Sequence, residues 1–146
     1  MSLDNLVGIS LDRVEANAAT IKRLLQAAAR NLADAQVTDI SAELRFDAAY
    51  KAILQLANAA LQAHGYRTLT SKPGHHMTML QTLGMTLDID RDTVIVLDAL
   101  RKQRNVVDYS GDLVSEQLVN ECCQQAAAVQ QAMFDWLRQH HPAWLE

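Results

Sequence analysis

Thr93-Val94-Ile95-Val96-Leu97-Asp98-Ala99-Leu100-Arg101-Lys102-Gln103-Arg104-Asn105-Val106-Val107-Asp108-Tyr109 opens with the chain's one β-branched run, and its reading separates an all-α chain from a mixed one. Val94, Leu97, Leu100 and Val107 keep three-and-four spacing, and Asp98 stands four residues before Lys102. Both features belong to a helix face, whereas a half-buried strand would alternate. The run is therefore read as helix. Arg104 falls in the same inward series. A guanidinium cannot shed its charge and must find partners there. Asn105, Asp108 and Tyr109 lie within five residues, so polar groups gather at one helix end.

Outward from this stretch, the remaining segments also carry helical periodicity. Leu11, Val14, Ala18, Ile21, Leu25, Ala28 and Leu32 predict a first helix over about residues 10–35, with Ser10 as its cap. Phe46, Tyr50, Ile53, Ala57, Ala60 and Leu61 predict a second from about Ser41 to His64, stopped by Gly65. Ala49, Ala59 and Ala60 suggest close packing. Tyr66 to Gly74 reads as a loop containing Lys72 and the Pro73-Gly74 pair. A short helix is expected from His75 to Leu83, ended by Gly84. The fourth, capped by Asp88 or Asp90, reaches Val107 or Asp108, and Ser110-Gly111-Asp112 turns the chain. A fifth runs from Leu113 to residues 138–140 with Leu118, Cys122, Ala126, Val129, Met133 and Trp136 inward, and Pro142 forbids continuation. The expectation is one all-α domain over residues 1–146, an antiparallel bundle of four to five helices.

A chain of 146 residues is long enough for one stable core. Five Gly and two Pro favour helix, and a net charge of -4 argues against a general nucleic-acid coat while allowing a local basic site. No run approaches the roughly 18 apolar residues of a membrane span, and no basic-then-apolar leader is visible, so a cytoplasmic location without membrane contact is expected. Cys122 and Cys123 are adjacent, and on a helix their side chains diverge by about 100°. They read as reduced, buried thiols.

No Glu-x-x-His or His-x-x-x-His occurs, so neither a metal site nor a cofactor is expected. The glycines stand singly, which excludes a phosphate-cradling loop. The His140-His141 pair fits a helix C-terminus. His75-His76 follow Pro73-Gly74 and open a helix, where free amides favour anions. Lys102 pairs readily with Asp98, and Arg104 with Asp108, at i,i+4.

Leu44-Arg45-Phe46-Asp47-Ala48-Ala49-Tyr50 leading through Leu61 to Gly65-Tyr66-Arg67, then Gly74-His75-His76, then Leu100-Arg101 to Arg104-Asn105 and Asp108-Tyr109, span residues 44–109. In order and spacing they resemble the HEPN superfamily, the nucleotide-binding helical domains of higher eukaryotes and prokaryotes. The resemblance implies a homodimer in which the arginine motifs of two chains line one cleft. It also implies a nucleotidyltransferase-type partner in toxin–antitoxin or defence pairs. Catalytic members are metal-independent endoribonucleases using Arg, then four to six residues of which the first is polar, and His. Arg104 and Asn105 match the first two positions, but Tyr109, Ser110 and Gly111 stand where the His would be. From Arg101 the same window holds Val106, Val107 and Asp108. Tyrosine, with a pKa near 10, is a poor proton carrier at neutral pH.

The expectation is therefore a HEPN-like module that binds nucleotide, RNA or a protein partner without turnover. Arg101, Arg104, Asn105, Asp108, Tyr109, His75 and His76 are its binding candidates. Arg104, Asn105 and Tyr109 are the catalytic candidates should the chain be an active endoribonuclease. A purely structural bundle, with Arg104, Asp108 and Tyr109 closing a polar network, is the third reading.

Overall fold

In a computed structural model, which describes residues 2–71 and 73–146, most of the chain is helical. Met1 and Lys72 lie outside the described residues, so the loop expected around Lys72 is described only on either side of it. The helices are α1 (Ala18–Ala35), α2 (Ala42–Ala63), α3 (His75–Gln81), α4 (Leu83–Thr86), α5 (Arg91–Ser110) and α6 (Glu116–His140). Two short strands, β1 (Leu11–Arg13) and β2 (Tyr66–Thr68), complete the order β1-α1-α2-β2-α3-α4-α5-α6.

Helix α2 is the centre. Ser41 caps it by accepting from the Leu44 N–H, and Gly65 at φ 91 follows its end. The expected stripe is buried along with Ala49, Ala52, Leu56 and Ala59. A helix apolar on nearly every side is an interior one, and α1, α3, α4, α5, α6 and β2 all pack on it. Its alanines let the neighbouring helices approach closely.

The strands correct the sequence reading. Leu11 and Val14 fit the spacing of α1, yet Asn17 begins that helix by accepting from the Thr20 N–H. Leu11 instead pairs antiparallel with Thr68, and Arg13 with Tyr66. Backbone bonds from Val14 to Gly65 and from Leu69 to Ser10 extend the pairing. Local periodicity cannot register partners more than fifty residues apart. Leu11 is fully buried with Leu3 and Leu61, a small second core beneath the strands.

Three boundaries also move. Gly84 does not end the short helix; the chain breaks at Thr82 and makes one further turn, α4, before Asp88 takes a left-handed φ of 57. Helix α5 extends past Asp108 to Ser110, where Gly111 at φ 70 donates its N–H to the Val107 carbonyl. Helix α6 starts at Glu116 under a Ser115 cap and buries Val119, Cys122, Ala126, Val129, Met133 and Leu137, leaving Leu118 and Trp136 half-buried. The run 93–97 is helical, and Ile95 faces solvent.

Among the described residues no helix is long and apolar enough to cross a membrane. Both cysteines are free thiols. Burial pushes Cys122 up to about 12, which leaves it unreactive at neutral pH.

Candidate functional site

Helix α5 puts Leu97 and Leu100 into the core and, one turn further along the same face, Arg104. Where the core would take another leucine, α2 supplies a carboxylate. The Arg104 Nε donates to Asp47 Oδ1 at 2.6 Å, and its Nη1 stands 3.4 Å from Asp108 Oδ2. The guanidinium carbon lies 5.3 Å from the ring centre of Tyr50, within cation–π range. Burial opposes the Arg104 charge, but the Asp47 hydrogen bond and charge outweigh it and raise its pKa.

Tyr50 forms the floor. Its side chain is 1% exposed and its hydroxyl has no hydrogen-bond partner. Burial raises the phenol to about 12, against the attraction of Arg104 and Arg101, so it stays neutral.

Gly74, at φ 82, turns the chain into α3 and delivers both histidines to this region. Their rings meet edge to face at 4.5 Å, and His76 approaches the Tyr50 ring at 6.4 Å. Gly74, His75, His76 and Met77 line one wall of a cleft of about 180 Å³, and Arg101 and Asn105 of α5 line the other. Burial, then the charges of His75, Arg104 and Arg101, depress the His76 pKa below its ordinary 6.5. Arg101 is held by Asp98, Nε to Oδ1 at 2.8 Å, and Lys102 reaches the same carboxylate at 3.4 Å. Burial would raise the Asp98 pKa; the hydrogen bonds and charges of Arg101 and Lys102 overcome it and hold the carboxyl ionised.

Arg101, Asn105, His75 and His76 thus share one cleft, although the second pair comes from a different helix. Arg104 lies beside it, engaged by Asp47, Asp108 and Tyr50, and does not line it. Its Asp108 partner is present, but the closer one is Asp47, which the local i,i+4 rule could not supply. Tyr109 is 93% exposed on the outer face of α5, where Asn105, Val106, Tyr109 and Ser110 line a shallow apolar groove. Asn105 alone borders both features.

Asp47 and Tyr50 were missed as site residues. The available signal is their i,i+3 spacing, which puts an acid beside the inward Tyr50 on the same helix, α2. The His140-His141 pair is likewise more than a helix end. Trp136 stacks on His140 at 4.6 Å and meets the His64 ring at a tilt, 4.7 Å away, and His141 stacks on Trp144 at 3.8 Å. A wider cleft of about 540 Å³ between α4 and α6 includes His64, Asp88, Asp135 and Trp136. Among the described residues no group of three or more His, Cys, Asp or Glu could hold a metal ion.

Compared with known proteins, the chain matches no protein-family model, no curated protein and no solved structure.

Proposed function

We propose that this chain is a HEPN-like helical module that binds the phosphate of RNA or a nucleotide in the cleft between α3 and α5, without turnover. One observation carries the reading: Arg101 and Asn105 face His75 and His76 across a space of phosphate-group scale. Guanidinium and imidazolium donors make short, charge-assisted bonds to phosphate oxygens, and an amide adds directional selectivity. Single-stranded RNA presents its phosphates and unpaired bases together. The α3 histidines face Arg101 and Asn105 rather than following Arg104 in sequence, so on this reading the cleft departs from the family's Arg-to-His pattern. The homodimer that the resemblance implies has a candidate surface on the outer face of α5. Ile95, Val106 and Tyr109 there, and Leu113 just beyond, are exposed. A nucleotidyltransferase-type partner and a cytoplasmic location rest on the resemblance and on the free thiols.

The test is binding of a fluorescently labelled single-stranded RNA in EDTA at about pH 6, with fragments resolved on a gel. Arg101→Ala, with its fold checked by circular dichroism, should weaken binding at least tenfold. Equal affinity in the variant would sink the reading.

A second reading has its own support. His76 is kept neutral at pH 7 beside Arg101, as a proton acceptor in metal-independent RNA cleavage must be. RNA fragments from wild type, lost in His76→Gln, would replace the first reading with this one.

A further inference from the structure

Taking the cleft between α3 and α5 as the phosphate site, its charges present a difficulty. Arg101 and Lys102 share Asp98, and Arg104 is held by Asp47 and Asp108. Among the described residues around the cleft, three cations therefore face three carboxylates. Tyr50, on α2 beneath them, is neutral. An anion entering would leave water for a site with almost no net charge, which is unfavourable however well its oxygens are bonded.

Only the two histidines can change that balance at accessible pH. Both line the cleft, and their rings touch at 4.5 Å. Two imidazolium ions at that separation repel, so the pair takes the first proton far more readily than the second. In the free cleft burial, and after it the charges of His75, Arg104 and Arg101, disfavour a proton on His76. A bound anion reverses that repulsion.

We infer that anion binding in this cleft is coupled to uptake of one proton by the His75–His76 pair, so that the site fills at mildly acidic pH and empties above neutrality. His76 is the main carrier, since it packs edge-on against Tyr50 and its charge is the one that the free cleft suppresses and a bound anion would restore. Asn105 bonds the anion without regard to pH. Asp98 stays ionised and keeps Arg101 in place.

Sulfate is the probe, because its own charge does not change between about pH 6 and 8. Calorimetric titrations in two buffers of different ionisation enthalpy report both affinity and protons taken up. Sulfate should bind about tenfold more weakly per pH unit above the histidine pKa, with uptake near one proton per ion. His76→Gln, with its fold checked by circular dichroism, should lose most of that slope, and the double variant His75→Gln, His76→Gln all of it. Equal sulfate affinity at both pH values would overturn the coupling, as would a double variant that keeps the slope. RNA that binds equally well at both pH values overturns the coupling and leaves the phosphate-binding reading standing. Neither RNA nor sulfate bound at about pH 6 overturns both.

Discussion

Arg104 of α5 and Asp47 of α2 meet at 2.6 Å across 57 residues of sequence, the closest polar tie between the helix that carries the cleft and the helix at the centre of the fold. Arg104 has 27% of its side-chain surface exposed and Asp47 40%, so water screens the pair in part. Charge-assisted bonds are typically worth about 1.5–3 kcal/mol, and partial exposure brings the expectation to about 1–2 kcal/mol. Arg104→Ala should lower stability by that amount in urea unfolding. A double-mutant cycle with Asp47→Ala should give a coupling of about 1 kcal/mol. Additive effects would show that the two residues do not depend on each other.

Tyr50→Phe is expected to be neutral or mildly stabilising, by up to about 1 kcal/mol. The hydroxyl is buried and has no partner, so its removal relieves a desolvated polar atom and keeps the ring under Arg104. Thermal melting decides it, and a loss above about 1 kcal/mol would reveal a bond to that hydroxyl.

Arg45 and Glu116 should show an asymmetry opposite to their exposure. Arg45 is buried, donating to the Ala35 carbonyl at 2.9 Å and to both Glu116 oxygens, at 2.9 and 2.8 Å. Glu116 is 67% exposed, and by exposure alone its loss would cost little. Glu116→Ala nevertheless strands a buried guanidinium, and about 2–3 kcal/mol should be lost. Glu116→Asp, which keeps the charge, should recover part of it. Chemical denaturation of the three proteins makes the comparison.

These ties also mark what the sequence could and could not disclose. Every long helix is legible, because burial in a helix imposes three-and-four spacing on the chain itself, as at Phe46, Tyr50, Ile53 and Ala57. Even the β-branched run 93–97 yields to that pattern. The β1–β2 pairing is not legible, since three residues are too few to show alternation and Leu11 mimics the helical series. The cleft was half legible. Arg101, Asn105, His75 and His76 stood out individually, but their meeting depends on how α3 lies across α5. Asp47 was invisible as the partner of Arg104 because Asp108 offered a local alternative.

Stability should fall on acidification through His64. Its ring packs on Trp136, and its Nε2 lies 2.9 Å from the Thr86 carbonyl. Burial depresses its pKa below 6.5, more than the Thr86 bond restores, and His140 and His141 depress it further. As pH drops below about 6.5, the unfolded chain takes a proton that the folded chain resists, so stability is lost in that window and recovers above it. His76 adds the same sign. Melting temperatures between about pH 5 and 8 should decline less steeply toward acid in His64→Gln than in wild type. Parallel curves would remove His64 from the account.

Helix α5 sinks only Leu97 and Leu100 fully into the core over its 20 residues, and beyond Leu100 the Arg104–Asp47 ion pair and the part-buried Val107 tie it to the rest of the fold. A helix anchored this way can lift off locally while α1, α2 and α6 stay packed, because opening exposes little apolar surface. Amide protons from Arg101 to Ser110 would then exchange with solvent long before those of α2. The cleft rides on a helix that can open in this way, and its occupant would act as a clasp, slowing that exchange by closing α3 onto α5.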